Sequence, residues 1–280
     1  MVSLRGALAT CALMLGLRGG ADAGRWPQPV LGMGPQAALS EGELAQQDVE
    51  VLFTFDDGPM ASTTPYILDI LAQRGIRAVF FLVGKQVVRT GRDGPELIDR
   101  IIREGHILAN HTMWHTDLCK DPADAAIADL DVGREVIEGA ARLRLAWFRA
   151  PFGVRCEQLD ELLAARHLTH FHWDLDPQEW RHGNVARTVK YVTDRLARAQ
   201  GRNVLLMHDI KLVTVLALPK ILQWIDDENA RRAKTGKPRI RVLQAHDVAM
   251  ERIPPEVREV LGEALAGARA LPRLIASVLP

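Results

Sequence analysis

Two adjacent carboxylates, Asp56 and Asp57, stand at the end of an apolar run in the segment VLFTFDDGP. Burying such a pair costs free energy unless another charge balances it, whereas an exposed pair in a turn is ordinary. Two histidines, His111 and His115, occur four residues apart in NHTMWH. On a helical turn this spacing places both imidazoles on one face, where they could bind one metal ion. Without a carboxylate from another segment, a pair of surface or capping histidines is the simpler interpretation.

Two His and one Asp form a ligand set that leaves coordination positions open for water and substrate, as catalytic zinc sites do. The same set can hold non-haem iron. In either case one carboxylate of the pair at 56 and 57 is the ligand, and the other lies free beside the cation. The cation would balance both negative charges, and the free carboxylate could accept a proton from water whose pKa the metal lowers. The sequence therefore predicts a hydrolytic metal centre.

Further polar groups follow other strand-like runs: Arg149 in RAPFG, Glu179 in DPQEW and His208 in LLMHD. Arg149 could hold a neighbouring carboxylate ionised through a bidentate contact, with a surface ion pair as the alternative. His208 is a candidate general acid, because an acidic partner such as Glu179 would raise its pKa. The alternative is a histidine satisfied in the core. Trp180 and Leu206 are either plain core or the walls of a small pocket for a methyl group.

The elements that must position these groups alternate along the chain from residue 49 onward. Strand candidates are VEVLFTF, RAVFFLV, HILAN, LAWFRA, THFHWDL, NVLLMH and IRVLQA, and amphipathic segments such as ALPKILQWIDDENARR lie between them. Such alternation predicts a parallel sheet with right-handed crossovers. We therefore expect an α/β fold, a distorted (β/α)7-type barrel with extra C-terminal helices. Catalytic residues of parallel barrels gather at the C-terminal ends of the strands, which is where the polar groups stand.

The chain has 280 residues, a formal net charge of +0 and 48% hydrophobic residues, which suits one globular domain and gives no indication of nucleic acid. Residues 1–23 read as a secretory signal ending near Ala23, with an uncleaved anchor helix as the alternative. We expect an extended lead-in over 24–48, the catalytic domain over 49–250 and a helical tail over 251–280. The mature chain is then expected in the periplasm or outside the cell, without a membrane span.

Two cysteines, Cys119 and Cys156, remain in the predicted mature chain. An exported compartment permits a disulfide, but a sequence does not show whether two cysteines lie close enough to form one. We expect two buried free thiols, with the disulfide as the alternative.

Five segments, in chain order, resemble the motifs of the polysaccharide deacetylases (carbohydrate esterase family 4, the NodB-homology domain): TFDDGP, HTMWH, RAPFG, DPQEW and LLMHD. The resemblance covers roughly residues 49–250. It implies a distorted barrel that removes acetyl groups from N- or O-acetylated glycans with one divalent metal ion, zinc first and Co²⁺, Ni²⁺ or Fe²⁺ as alternatives. By matching position, Asp56 would be the catalytic base oriented by Arg149. Asp57, His111 and His115 would bind the metal.

The resemblance assigns the remaining roles to the three later motifs. His208 would protonate the leaving amine, the backbone N–H of Phe152 would help to stabilise the oxyanion, and Trp180 and Leu206 would line a pocket for the acetyl methyl group. Two positions depart from the family's pattern. Phe152 stands where many members have Tyr, which leaves a backbone role intact. Glu179 stands where Asp is usual, so either its longer side chain reaches His208 or Asp176 replaces it.

Several functions are therefore open. The first is a metal-dependent deacetylase acting on N-acetylglucosamine residues of peptidoglycan or a chitin-like polymer. An O-acetyl esterase of the xylan type, a catalytically silent glycan-binding module and an iron oxygenase are the alternatives. The presence of a base, an acid and a full ligand set favours an enzyme. The acidic group beside the ligands favours hydrolysis over oxygenation.

Overall fold

Seven parallel strands make up the sheet in the computed structural model, which describes residues 47–251. They are β1 (Val49–Asp56), β2 (Val79–Leu82), β3 (Ile107–Asn110), β4 (Trp147–Phe148), β5 (Thr169–His170), β6 (Arg202–His208) and β7 (Ile240–Val242). Their order is β5-β4-β3-β2-β1-β6, and β7 pairs with β1. Each predicted strand segment overlaps one of these strands, and β1 and β6 extend one residue beyond the prediction, to Asp56 and Arg202. The prediction of a parallel α/β fold is therefore confirmed.

Helices connect the strands, as predicted. In the described range they are α1 (Thr64–Gln73), α2 (Gly84–Arg89), α3 (Asp93–Arg103), α4 (Ala123–Ala141), α5 (Glu157–Ala165), α6 (Glu179–His182), α7 (Val185–Arg198), α8 (Leu212–Thr235) and α9 (Ala245–Met250), with a 3₁₀ turn at Pro151–Gly153. Helix α8 begins at Leu212, before the predicted start at Ala217, and continues through Pro219. Proline there costs one backbone hydrogen bond but does not end the helix.

Local sequence explains how a crossover helix such as α7 starts and ends. Asn184 precedes the helix, and its side-chain oxygen accepts the N–H of Arg187 at 2.9 Å. This N-cap satisfies one of the backbone donors that every helix start leaves free. Arg195 and Arg198 lie in the last turn, where their positive charges interact favourably with the negative end of the helix dipole.

Side chains of β1 alternate between two hydrophobic cores, as the two-residue period of a strand requires. Val51, Phe53 and Phe55 are fully buried in the core shared with the helices. Leu52 belongs to a second core, which fills the interior of the barrel. Its members come from β1, β2, β3, β4 and β6, from Phe171 and Leu243, and from Ala245, Val248 and Ala249 of α9. Thr54 and Asp56 share the face of Leu52. Asp56 thus ends β1 on its interior side.

The segment 169–175 closes the barrel without forming one long strand. At its start, the N–H of Phe171 donates to the carbonyl of Phe148 in β4 at 2.7 Å. At its end, Leu175 forms a parallel bridge with Leu205, and the N–H of Leu206 in β6 donates to Leu175 at 2.9 Å. This segment, which begins with β5, is therefore bonded to β4 at its start and to β6 at its end. Strands β1, β2, β3, β4 and β6 end at the same edge of the sheet.

Cys119 and Cys156 form a disulfide with a Cα–Cα distance of 5.9 Å, so the expectation of free thiols is wrong. The bond joins the loop after β3 to the residue before α5. Both cysteines pack against a small apolar cluster that includes Leu118 and Leu159. The two cysteines are 37 residues apart in the sequence, which does not indicate that they are close in space. The packing of both against the same apolar cluster brings them together.

Several predicted segments lie outside the described residues: the signal segment 1–23, nearly all of the lead-in and the tail beyond 251. Their boundaries, and the limits of the catalytic domain, stay predictions. Within 47–251, no helix has the length and apolar character needed to cross a bilayer.

Candidate active site

The three proposed metal ligands come together at the C-terminal ends of β1 and β3. Nε2 of His115 lies 3.2 Å from Oδ1 of Asp57, and Nε2 of His111 lies 3.7 Å from the same oxygen. One ligand atom from each residue falls within 4.8 Å of the others. Within the described residues, Oδ1 of Asp57 is buried and has no hydrogen-bond partner. An orphaned carboxylate oxygen between two imidazoles fits a divalent cation, which would satisfy it.

The protonation of His111 also suits a metal ligand. Its Nδ1 lies 2.7 Å from the carbonyl oxygen of Arg149 and donates its hydrogen there, since a carbonyl only accepts. Nε2 then carries the free lone pair that faces Asp57. Burial lowers the pKa of His111 to about 3, which keeps the ring neutral. A carbonyl that fixes the tautomer in this way is common behind metal-binding histidines.

The two histidines do not share a helical turn, which corrects the sequence argument. Residues 111–115 form a loop, in which Thr112 and His115 have φ values of 68° and 63°. The hydroxyl of Thr112 accepts the N–H of His115 at 2.9 Å. These left-handed residues turn the loop so that the rings meet edge to face, with centroids 5.0 Å apart. The spacing of four correctly predicted that the two imidazoles lie close together. A loop brings them together, however, and not a helical turn.

Asp56 and Arg149 form a buried ion pair. Nη1 of Arg149 donates to Oδ1 of Asp56 at 2.7 Å and to Oγ1 of Thr54 at 2.8 Å. The other nitrogens donate to backbone carbonyls, Nε to Phe171 and Nη2 to His172. The contact with Asp56 is therefore made by one nitrogen, and the expected bidentate contact is wrong. The bonds of Nε to Phe171 and of Nη2 to His172 orient the guanidinium so that only Nη1 reaches Asp56.

Burial and charge act in opposite directions on Asp56. Burial raises its pKa, while the positive charge of Arg149 and, more weakly, of His208 lowers it. The effect of burial is the larger, so the pKa of Asp56 is raised even though Arg149 lies beside it. A cation held by Asp57 would act in the same direction as Arg149. Nε2 of His111 lies 3.6 Å from Oδ2 of Asp56, which places this carboxyl beside the ligand cluster.

Glu179 is the partner of His208. Its Oε1 accepts Nδ1–H of His208 at 2.9 Å, the N–H of His208 at 2.8 Å and the hydroxyl of Thr214 at 3.2 Å. Burial lowers the pKa of His208, but the hydrogen bond and charge of Glu179, with the negative charges of Asp57 and Asp56, raise it to about 9. The other candidate, Asp176, instead accepts the N–H of Gln178 at 2.8 Å.

The remaining predicted residues lie around this centre. Trp180 is 48% exposed, and its ring centroid lies 6.3 Å from that of His208. Leu206 is buried and pairs with Thr54 across β6 and β1. Phe152 has a φ of 60° and is 67% exposed, and its ring stands edge-on to His115 at 4.8 Å. Its side chain therefore reaches the ligand cluster, a contact that the backbone argument did not anticipate.

Some residues of the site carried no role in the sequence argument. Asp209 is fully buried under the loop after β1, where a Cβ on Gly58 would lie 2.2 Å from its Oδ2, and Thr64 donates to it at 2.5 Å. Burial and the charges of Asp57 and Asp56 raise the pKa of Asp209 to about 7. Asp129 is buried in α4. A charged residue in the apolar stripe of that helix was the available signal.

Comparisons with known proteins agree with this geometry. Residues 44–170 match the sequence profile of the family described as polysaccharide deacetylase. A chitooligosaccharide deacetylase of Bradyrhizobium sp. (strain ANU 289) is 36% identical over 160 residues, 57% of this chain and 70% of that protein. A peptidoglycan-N-acetylglucosamine deacetylase, PgdA of Listeria monocytogenes serotype 1/2a (strain 10403S), is 29% identical over 178 residues, 64% of this chain and 36% of that protein.

Solved structures show the same fold. The peptidoglycan deacetylase PdaC from Bacillus subtilis superposes with a TM-score of 0.60 at 25% identity, over 79% of this chain and 95% of that one. A family 4 carbohydrate esterase from Streptomyces lividans, in complex with acetate, superposes with a TM-score of 0.57 at 30% identity, over 64% of this chain and 88% of that one. Sequence profile, relatives and strand-end geometry agree, and the chain belongs to the polysaccharide deacetylase family.

Proposed function

We propose that this deacetylase hydrolyses the N-acetyl groups of N-acetylglucosamine residues in a chitin-like oligosaccharide or in peptidoglycan. One observation carries the proposal: the cluster of Asp57, His111 and His115 lies directly beside a buried acid–base set. The names of the relatives support the choice of an N-acetylated glycan. In the reaction, water adds to the acetyl carbonyl carbon, the C–N bond breaks, and acetate and a free amine are the products.

Asp57, His111 and His115 are the residues that would hold the divalent ion, and Zn²⁺ is the first candidate because two imidazoles and one carboxylate suit it. When bound, the ion would polarise the acetyl carbonyl and lower the pKa of the attacking water. The three side chains leave coordination positions for both. Nδ1 of His111, fixed by the carbonyl of Arg149, keeps its ligand nitrogen unprotonated.

Asp56 is proposed as the general base that takes the proton from the attacking water. Its Oδ1 is held by Arg149, which leaves Oδ2 directed toward the ligand cluster, 3.6 Å from Nε2 of His111. His208 is proposed as the general acid, because the Glu179 carboxylate keeps it protonated at neutral pH. The proton of His208 would go to the departing nitrogen, which leaves as the sugar amine.

Phe152, Trp180 and Leu206 are proposed to hold the acetyl group. The N–H of Phe152 would donate to the oxygen that becomes negative when water adds to the carbonyl. Trp180 and Leu206 would enclose the methyl group, since both present apolar surface next to His208 and the end of β1. An exported location is part of the proposal, and the predicted signal segment and the disulfide support it.

The test is acetate release by protein freed of metal and then reloaded with Zn²⁺. Substrates are chitooligosaccharides, peptidoglycan and acetylxylan, and the Asp56→Asn variant is the control. Zinc-dependent release from either N-acetylated glycan, absent in the variant, would support the proposal. Release from acetylxylan alone would identify an O-acetyl esterase instead. Bound zinc without release from any substrate would favour a silent glycan-binding protein.

A further inference from the structure

Asp129, in the middle of α4, contacts the loop that carries both proposed histidine ligands. Its Oδ1 accepts the N–H of Met113 at 2.8 Å and the N–H of Trp114 at 2.6 Å. Its Oδ2 accepts the hydroxyl of Thr116 at 2.7 Å. The carbonyl oxygen of Asp129 accepts the N–H of Met113 as well, at 2.9 Å. The chain between His111 and His115, and the residue after it, is thus bonded to one aspartate.

The residues next to Asp129 on α4 contact the same loop. The carbonyl of Leu130 accepts Nδ2 of Asn110 at 3.0 Å, and Oδ1 of Asn110 accepts the N–H of Thr112 at 3.0 Å. At Gly133 the backbones are so close that a Cβ would lie 2.4 Å from the carbonyl carbon of Thr112. One face of α4 therefore follows the course of the ligand loop.

This loop needs external support. Thr112 and His115 both have left-handed φ angles, a conformation that side chains other than glycine adopt only where the surroundings hold it. Backbone N–H groups in a buried loop must also find acceptors. A carboxylate can accept hydrogen bonds from these N–H groups and hold the strained backbone in place, because hydrogen bonds to an ionised acceptor are stronger than those to a neutral one.

We propose that Asp129 is a positioning residue of the metal site, which holds His111 and His115 at the distances that one ion requires before the ion binds. The inference rests on the proposed metal site but goes beyond it, because Asp129 contacts neither ligand side chain. It acts through the backbone between them. Loss of its carboxylate would leave all three ligands in the chain and reduce their preorganisation.

The decisive substitution is Asp129→Asn, which keeps the size of the side chain but turns one acceptor oxygen into a donor group. The matched control is Asp131→Asn on the same helix. The carboxylate of Asp131 pairs with the guanidinium of Arg166, at 2.7 Å between Oδ2 and Nη2, and does not contact the ligand loop. Both variants remove one negative charge from α4. Asp131→Asn alters the ion pair with Arg166, whereas Asp129→Asn alters the bonds to the ligand loop. A milder variant, Thr116→Val, removes the hydroxyl, which contacts both Asp129 and Asp121, and leaves the bonds of Asp129 to the N–H groups of Met113 and Trp114.

The measurements are the dissociation constant for Zn²⁺ by chelator competition, the thermal midpoint of the metal-free protein and the absorption spectrum of the Co²⁺ form. We expect Asp129→Asn to bind Zn²⁺ about 10- to 100-fold more weakly, as for other groups behind metal ligands, with a changed Co²⁺ spectrum. Asp131→Asn should lower the midpoint without a change in affinity.

Unchanged Zn²⁺ affinity in folded Asp129→Asn would overturn the inference. If that variant fails to fold, Thr116→Val decides: a weaker affinity at a similar midpoint supports a positioning role, and an unchanged affinity contradicts it. A wild-type protein that binds no Zn²⁺ would contradict the proposed metal site itself. The two failures are therefore distinguishable.

Discussion

The carbonyl oxygen of Arg149 accepts a hydrogen bond from Nδ1 of His111 at 2.7 Å. The guanidinium of the same residue donates to Asp56, also at 2.7 Å. Arg149 thus serves the proposed metal ligand with its backbone and the proposed base with its side chain. Substitution of the side chain should separate the two functions, because it leaves the carbonyl in place.

The Arg149→Lys variant is therefore expected to keep its Zn²⁺ affinity and lose turnover. Lysine carries the charge but cannot donate at the same time to Asp56 and to the carbonyls of Phe171 and His172. A base displaced by about 1 Å can reduce the rate about 100-fold. Parallel measurement of kcat and of the Zn²⁺ dissociation constant checks this. Equal losses in both would show that the side chain supports the ligand cluster as well.

Asp56 and Asp57 are neighbours with different proposed roles, and two variants distinguish them. Asp56→Asn should bind Zn²⁺ normally and lose activity by about 10²- to 10⁴-fold, the usual contribution of a general base. Asp57→Ala should lose Zn²⁺ affinity together with activity. Metal content by mass spectrometry and acetate release give both readouts. The opposite pattern would reverse the assignment of base and ligand.

The pH dependence of kcat should report the pair of His208 and Glu179. The pKa of His208 is raised to about 9, so the general acid is protonated below that pH and is lost as the pH rises through it. A cation held by Asp57 would offset the charges of Asp57 and Asp56 that contribute to this pKa, so activity should fall on the alkaline side at or below pH 9. Glu179→Gln removes the charge that raises this pKa, so the alkaline fall should move to lower pH. An unmoved alkaline limb in Glu179→Gln would assign that limb to another group.

The disulfide between Cys119 and Cys156 should contribute to stability. A Cys119→Ser/Cys156→Ser double variant is expected to lose about 2–4 kcal/mol of unfolding free energy, the typical effect of removing such a cross-link. Urea denaturation of the wild type, the reduced wild type and the double variant gives the comparison. The reduced wild type should match the double variant. An unchanged midpoint after reduction would argue against the disulfide in solution.

Sequence reasoning predicted the strand-end residues because their placement follows from the fold. A polar residue directly after a buried strand must stand at the same edge as its counterparts, so Asp56, His111 and His208 could be grouped without coordinates. A second sequence feature, the period of the apolar residues, predicted the seven strands, because short apolar runs differ in period from the amphipathic helical segments between them.

What sequence reasoning missed depends on contacts between distant segments. The disulfide, the single-nitrogen contact of Arg149 and the loop geometry of His115 all follow from how separate loops pack, which no local pattern encodes. No role was predicted for Asp129, because a charged residue in a helix is usually exposed to solvent. Only the burial of that helix face against the ligand loop gives it a role.

The pairing of β1 with two strands that come late in the sequence has a consequence for biosynthesis. Of the strands within residues 47–251, β1 is the first to leave the ribosome, yet its register partners include residues 202–208 in β6 and 240–242 in β7. Until those residues have been synthesised, only β2 among its partners is available to pair with the backbone of β1. The sheet around the ion pair of Asp56 and Arg149 can therefore be completed only after β6 and β7 have been translated, near the end of the described range.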